Sequence, residues 1–201
     1  MHLPIYTPHP KSTTDFVKFW GGQYSYEGEP VYTENIGKPL TKERLRALFL
    51  WKNGMRLSRP KTASVERRYV GRLAELQKLP ASTDPADFLQ RFAGGGAIWG
   101  IFLLHCWSPD RYPIYDQHGH RAMTFIAEQP REEITDWTDK KKIASYLSRY
   151  LVFHCSSQGH DLRMVDRALW AFGKFIQTAK FPDVLSKGYG LNKQEGKGGG
   201  L

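Results

Sequence analysis

Hydrophobic side chains recur every three or four positions along most of this chain, a period typical of helices that bury one face. Stretches with the alternation of a strand are few, so the pattern predicts a mainly α-helical fold. Gly21–Pro39, rich in Gly, Pro and Tyr, is predicted to be a loop with one hairpin. The predicted helices are Ser12–Trp20, Thr41–Asn53, Ser64–Leu79, a short one capped by Asp84, Ala97–Cys106, Asp116–Ala127, Thr138–Cys155, and a last long one opened by His160 or Asp161.

The strongest indication of a functional site is a run of glycines followed by a single carboxylate. Gly94-Gly95-Gly96 immediately precedes an apolar helix that begins at Ala97. Adjacent glycines let a backbone approach a bulky anion, and the first amides of the next helix point the same way. After that helix come Asp116, His118 and Arg121. An anion cradle followed by a single carboxylate predicts chemistry on a nucleic acid.

Composition and charge agree with a nucleic-acid partner. The chain has 201 residues, which suffices for one compact domain or two small lobes. There are 29 Lys and Arg against 20 Asp and Glu, so the net charge is +9. A basic balance favours a polyanionic partner, because phosphates neutralised by Lys and Arg release counterions. The alternative is a soluble basic protein without such a partner.

The cysteines and the apolar runs bear on the compartment. Cys106 and Cys155 lie in apolar helical stretches, where buried free thiols are common. Two cysteines cannot form a disulfide framework or a four-cysteine metal site. Residues 1–11 lack the apolar segment of a signal peptide, and Ala97–Trp107 is too short to cross a membrane. We therefore expect a cytoplasmic protein that does not bind membranes.

The motif resembles a known family. Gly94–Gly96, a helix, and then Tyr115-Asp116-Gln117-His118 with Arg121 are similar to the helix–hairpin–helix–Gly/Pro/Asp superfamily of DNA glycosylases. That family's pattern is close to L-P-G-V-G-x-x-T-A followed by V-D-T-H-V-x-R-V. In this chain Phe92-Ala93 replaces Leu-Pro, Gly95 replaces Val, and Gly119 replaces the Val after His.

The resemblance implies a two-lobed helical fold whose cleft binds double-stranded DNA as a monomer and extrudes one base. Asp116 would be the catalytic carboxylate, which stabilises an oxocarbenium-like sugar and positions water. Ala97-Ile98-Trp99 has no lysine where bifunctional members carry theirs, which implies a monofunctional enzyme that needs no cofactor or metal. The implied contacts with the DNA backbone are Gly94, Gly95, Gly96, Ala97, His118 and Arg121.

This interpretation divides the chain into four parts. Residues 1–40 would form an arm and a short helix, and residues 41–130 the lobe with the hairpin and the carboxylate. Residues 131–182 would pack into the other lobe, and residues 183–201, rich in Gly and Lys, would be a flexible tail.

Each motif residue also has a purely structural interpretation. Asp116 is an obvious helix N-cap, and the glycines can form an ordinary turn between helices. Arg121 can equally form a buried ion pair. A metal site at His105, Cys106, His118 and His120 is disfavoured, since two histidines two positions apart point to different helix faces. On the last helix, we expect Asp161 to cap and Asp166 to pair with Arg163 or Arg167.

An extruded base needs a pocket with aromatic walls and polar groups that read its edge. The candidate pocket residues are Trp20, Tyr24, Tyr26, Trp51, Asn53, Trp99 and Tyr115. Core packing is the alternative for the aromatic residues, and capping is the alternative for Asn53. A basic cluster either follows the opposite DNA strand or forms a solvated helix face; it comprises Arg56, Arg59, Lys61, Arg67 and Arg68.

The sequence does not identify which base would be excised. Damaged or mismatched bases of repair and hypermodified bases of phage DNA are both compatible with the motif. A helix–hairpin–helix module that binds DNA without catalysis is the alternative from another class. A nuclease is disfavoured, because no carboxylates cluster in the sequence to hold Mg²⁺.

Overall fold

The computed structural model describes residues 12–127, 132–155 and 159–177, and within these ranges the regular structure is helical, without strands. This confirms the mainly α-helical prediction. Short 3₁₀ turns occupy Val70–Arg72 and Ala93–Gly95. A π-helical segment, Tyr146–Tyr150, joins the helices Asp139–Ser145 and Leu151–Cys155. The helices are α1 (Thr13–Gly22), α2 (Glu29–Asn35), α3 (Lys42–Asn53), α4 (Arg59–Arg68), α5 (Leu73–Leu76), α6 (Pro85–Phe92), α7 (Ala97–Trp107), α8 (Gln117–Ile126), α9 (Asp139–Ser145), α10 (Leu151–Cys155) and α11 (Leu162–Phe175).

Side-chain caps begin most of the helices that the sequence predicts. Each capping oxygen accepts a hydrogen bond from a backbone N–H in the first turn, which otherwise has no partner within the helix. The capping residues are Ser12, Thr41, Asp84, Asp116, Thr138 and Asp161. At the other end of α3, Gly54 adopts a left-handed conformation with φ of 75° and closes the helix.

The predicted loop over Gly21–Pro39 is wrong in its second half. Glu29–Asn35 forms α2, with Pro30 in its first turn, where a missing N–H costs nothing. Tyr32 from this helix is buried and stacks against Trp51 of α3, with ring centroids 4.5 Å apart. Tertiary packing of one aromatic residue therefore stabilises a helix that glycine and proline content argues against.

The predicted helix Ser64–Leu79 is broken at Tyr69. There the backbone leaves helical geometry (φ −124°, ψ −59°), and a 3₁₀ turn leads into α5. Val65, Tyr69, Leu73 and Leu76, which recur at helical spacing in the sequence and so predict one apolar stripe, are all buried. The stripe is thus predicted correctly, but it lies on a bent segment in which Tyr69 stacks on Phe49.

Helix α7 runs through the interior. It is apolar on all sides, as expected for a helix surrounded by protein, and it contacts α3, α6 and α9. Helices α1 and α8 both pack against α11. At Gly173 of α11 a Cβ atom would lie 1.9 Å from the carbonyl oxygen of His118, so the backbones of α8 and α11 are in direct contact. This contact fixes the start of α8, and with it Asp116, against α11.

No helix in the described ranges is long and apolar enough to span a lipid bilayer. The arm at residues 1–11 and the basic tail at residues 183–201 lie outside the described residues. The division into two lobes stays a prediction.

Candidate functional site

A cavity of about 170 Å³ opens beside Asp116. A cavity of roughly 150 Å³ holds a benzene ring, so this one has room for a planar aromatic ring. Its walls come from the segment after α1, the end of α3, the start of α8, the π-helical segment and α11. The lining residues are Tyr24, Tyr26, Trp51, Lys52, Gly54, Ile114, Asp116, Gly119, Tyr150, Arg163, Asp166 and Trp170.

Asp116 is both a helix cap and a wall of this cavity. Its Oδ1 accepts hydrogen bonds from the backbone N–H groups of His118 (2.9 Å) and Gly119 (3.0 Å). Its Oδ2 lies 3.3 Å from Nζ of Lys52, and 24% of the side chain is exposed. Burial by itself raises the pKa of this carboxyl, but the Lys52 charge and the Gly119 N–H outweigh it and hold the pKa below its usual value. Asp116 is therefore a carboxylate at neutral pH.

Lys52 is the basic group that faces Asp116. It comes from the last turn of α3, and Nζ also donates to the carbonyl oxygen of Tyr115 at 3.4 Å. Only 10% of its side chain is exposed. The start of α7 contains no lysine. Lys52 instead reaches the Asp116 carboxylate from α3.

Five of the twelve residues that line the cavity are aromatic. Tyr24 meets Trp170 edge to face, with centroids 5.2 Å apart, and Tyr26 meets Trp51 in the same way at 5.9 Å. The Tyr26 hydroxyl donates to the Trp51 carbonyl oxygen and so fixes the relative position of the two side chains. Tyr150 adds a fifth ring. Such walls suit a flat, unsaturated ligand.

Arg163 of α11 carries a positive charge into the aromatic wall. Its Nη2 donates to both carboxylate oxygens of Glu29, each at 2.8 Å, and to the Tyr24 hydroxyl at 3.1 Å. The guanidinium carbon lies 4.3 Å from the Tyr32 ring centroid and 5.2 Å from that of Trp51. Ion pairing and stacking thus hold this side chain in one orientation.

Asp166 is a second carboxyl in the cavity wall, and its environment is opposite to that of Asp116. Its side chain is 3% exposed. Oδ2 accepts a hydrogen bond from the Ile114 N–H, whereas Oδ1 has no partner among the described residues and lies 3.6 Å from Nε2 of His154. Burial raises the pKa of Asp166 to about 7. The expected ion pair with Arg163 or Arg167 is wrong, since both arginines bind Glu29.

Four of the residues singled out in the sequence meet at this cavity: Asp116, Tyr24, Tyr26 and Trp51. The other pocket candidates lie elsewhere, which corrects their placement. Trp20 is buried against Phe172 and Phe175, and Tyr115 is buried with its hydroxyl 3.1 Å from Nδ1 of His120. Trp99 stacks on Phe49, and Asn53 binds Met55 and Lys61 in the turn after α3.

Arg121 forms the buried ion pair that was the alternative to DNA contact. Its Nε and Nη2 donate to Glu133 at 2.8 and 2.7 Å, and Nη1 donates to the Gly173 carbonyl oxygen. With 3% exposure, its guanidinium is not available to a phosphate. Nη1 also donates to Nδ1 of His118, so the neutral His118 ring carries its proton on Nε2, as a phosphate donor requires.

Packing explains the glycine run and a second departure from the family motif. A Cβ atom at Gly95 would lie 2.2 Å from the Tyr69 hydroxyl, and Gly96 has φ of 112°. Likewise, a Cβ atom at Gly119 would lie 2.5 Å from the Tyr150 hydroxyl. Tyr69 and Tyr150 thus fill the space that a side chain at Gly95 or Gly119 would need. Gly94 and Gly95 lie in the 3₁₀ turn before α7, Gly96 is the N-cap residue of α7, and Ala97 is its first residue.

His105 belongs to the core and not to a metal site. Its Nε2 lies 2.7 Å from the Tyr32 hydroxyl and its Nδ1 2.6 Å from the Tyr112 carbonyl oxygen. Burial lowers its pKa to about 3. In the described part of the chain, no three His, Cys, Asp or Glu side chains gather as metal ligands would.

Next to the cavity, the turn after α3 carries an exposed apolar side chain among basic ones. Met55 follows the cavity residue Gly54 and is 73% exposed. A hydrogen bond from the Asn53 amide to the Met55 carbonyl oxygen, at 2.8 Å, holds this turn. Arg56, Arg59 and Lys61 follow it in sequence and are exposed.

Comparisons with known proteins give no match, whether with protein-family models, with curated proteins or with solved structures. The proposed function therefore depends on the sequence and geometry of this chain alone. Sequence reasoning missed Arg163, Asp166, Tyr150 and Trp170 as cavity residues. One signal was present, since Asp166 lies four positions after Leu162 and three before Leu169, on the apolar face of α11.

Proposed function

We propose that this protein is a monofunctional DNA N-glycosylase that extrudes one base and hydrolyses its bond to deoxyribose. Asp116 carries the proposal, because it is an ionised carboxylate at the edge of a cavity that has room for one aromatic ring. A base in that cavity would leave its sugar near the entrance, beside Asp116.

The chemistry follows from the position of the carboxylate. As the base leaves with the bonding electrons, positive charge develops on the sugar, and a fixed carboxylate stabilises it. Water then adds to C1′ and gives up a proton, which ends on the departing base, so the products are the neutral base and an abasic sugar. The N–H donors of His118 and Gly119 hold Oδ1 of Asp116 in place, so Oδ2 faces the reacting centre together with Lys52.

Several surface features support DNA as the partner. The net charge of +9 favours a polyanion, and Nε2 of His118 and the first amides of α7 are donors suited to phosphates. Met55, at the tip of a basic turn, is suited to fill the gap that an extruded base leaves, since apolar wedges of this kind stabilise unstacked DNA. A two-lobed cleft of the helix–hairpin–helix type would accommodate this arrangement.

The position of Lys52 bears on whether the enzyme also cleaves the DNA strand. A lysine beside the catalytic carboxylate can in principle attack the sugar and form a Schiff base. Here its ammonium group pairs with Asp116 and donates to the Tyr115 carbonyl oxygen. We therefore assign Lys52 to holding the carboxylate, and hydrolysis to water.

The test is excision from duplexes that each contain one altered base, with abasic sites revealed by alkaline cleavage. The duplexes carry alkylated, oxidised, mismatched or phage-type hypermodified bases. We expect Asp116→Asn to lower excision at least ~100-fold while duplex affinity changes by less than about twofold, because the amide still caps α8. Borohydride added during turnover should trap no covalent complex.

Asp84→Asn is the matched control, since Asp84 caps α6 with the same two-bond geometry away from the cavity. It should leave excision unchanged. A protein that binds duplexes but excises no base from any of them would be the non-catalytic DNA-binding module. A borohydride adduct that depends on Lys52 would contradict the monofunctional assignment.

A further inference from the structure

Arg163, in the wall of the cavity, is a fixed hydrogen-bond donor that the hydrolytic step does not use. Arg163 lines the cavity, and 18% of its side chain is exposed. Its described hydrogen bonds use Nε and Nη2, which bind Glu29 and Tyr24. Nη1 makes none of these bonds, and it is not among the fully buried polar atoms of the described residues that lack a partner. Because Arg163 lines the cavity, Nη1 is the guanidinium nitrogen left to donate to a ligand bound there.

The anchoring is stronger than a single ion pair. Glu29 accepts from Arg163 and, at 2.7 Å, from Arg167, one helical turn further along α11. These contacts and Tyr24 hold the pKa of Glu29 below its usual value, although burial acts in the opposite direction. The guanidinium also stacks against Tyr32 and Trp51. A donor fixed in this way loses little entropy when a ligand binds.

We propose that Arg163 selects the base, by donating from Nη1 to a carbonyl oxygen on the edge of the ring bound in the cavity. This rests on the proposed function and extends it to a substrate class, namely bases with an exocyclic oxygen where adenine and cytosine carry an amino group. An amino group at that position would place a second donor against Arg163. The guanidinium would then be left without an acceptor in a partly desolvated site, a cost that gives sites of this kind strong selectivity.

The test uses two pairs of free bases that differ at this one position: hypoxanthine against adenine, and uracil against cytosine. Binding is measured by saturation-transfer NMR titration at pH 7. We expect the wild-type protein to bind each oxo base at least ~10-fold more tightly than its amino partner, as a hydrogen bond to a charged donor predicts. In Arg163→Met this preference should fall to within about twofold.

Arg167→Met is the matched control. It removes the second ion pair of Glu29 from the same helix, but Arg163 keeps its own bonds to Glu29 and Tyr24, and Arg167 does not line the cavity, so the oxo preference should stay. Arg163→Lys keeps a positive charge near Glu29 but lacks the second guanidinium nitrogen, which is the proposed donor to the base. It should also lose the preference, and it serves if Arg163→Met does not fold.

The outcomes separate this proposal from the glycosylase assignment. If neither base of a pair binds, or if the preference persists in both Arg163 variants, the role of Arg163 is overturned whatever the excision assay shows. If the preference depends on Arg163 but no duplex loses a base, base selection stands and the glycosylase assignment fails.

Discussion

Two carboxyl groups in the wall of one cavity have opposite protonation behaviour, and their neighbours explain it. Asp116 has Lys52 and two N–H donors, which outweigh its burial. Asp166 is more deeply buried, with one N–H donor and a neutral His154 nearby, so burial dominates. Arrangements that push two pKa values apart are typical of sites that need an ionised and a protonated carboxyl at the same pH.

The raised pKa of Asp166 predicts a specific pH dependence of stability. The folded state binds its proton up to a pH of about 7, whereas the unfolded state releases it near pH 4. Its contribution to the free energy of unfolding is therefore fully present below pH 4, falls as pH rises to about 7, and is constant above that. Asp166→Asn should remove this loss and be the more stable protein at pH 8, by up to about 4 kcal/mol.

Urea unfolding of both proteins at pH 5, 6, 7 and 8 measures this difference. The stability gain of Asp166→Asn over wild type should grow between pH 5 and pH 7. Asp161→Asn, which keeps a capping side chain at the exposed start of α11, should follow the wild-type profile. A gain from Asp166→Asn that is the same at all four pH values would show that the buried carboxyl does not titrate in this range.

At the scale of elements, the contact between α8 and α11 sets the geometry of the site. A Cβ atom on Gly173 would overlap the backbone of His118, two residues from Asp116. We expect Gly173→Ala to lower the free energy of unfolding by about 2–3 kcal/mol, because the helices must separate, and to lower excision by displacing the carboxylate. Gly22→Ala, at the end of α1 with no atom near the added methyl group, should change neither. Urea unfolding and single-turnover excision give the two readouts.

Local sequence rules predict some of these helices and their boundaries but not others. The caps at Asp116 and Asp161 and the end of α3 at Asn53 follow from local rules and are confirmed. The helix α2 and the break at Tyr69 do not, since both depend on aromatic contacts with α3. The cavity contains Tyr24, Tyr26 and Trp51 as predicted, but Arg163 joins them only through the packing of α11, which no local pattern encodes.

For the whole molecule, the proposed DNA-binding surface centres on the turn that carries Met55. Met55→Glu should weaken affinity for duplex DNA at least ~10-fold, because it replaces an apolar wedge with a negative charge among Arg56, Arg59 and Lys61. Met55→Leu should bind like wild type. Fluorescence anisotropy over a salt series gives both affinity and its dependence on salt.

Ile126→Glu provides the control for added charge. Ile126 is 39% exposed and lies at the far end of α8, about 15 Å along the helix from Asp116. The substitution adds the same negative charge there and should reduce affinity by less than about threefold. Equal losses from both glutamates would mean that total charge, and not the Met55 turn, determines binding.

The double use of Asp116 has an evolutionary consequence. Because one side chain both closes the first turn of α8 and faces the cavity, a descendant that lost its chemistry would still be under selection for folding at that position. Asn, Ser or Thr would be retained there and Ala or Leu would be rare. Among homologues, replacement of the acid at this position by an amide would therefore distinguish proteins without the proposed excision activity from proteins that have it. The surrounding helices would stay the same.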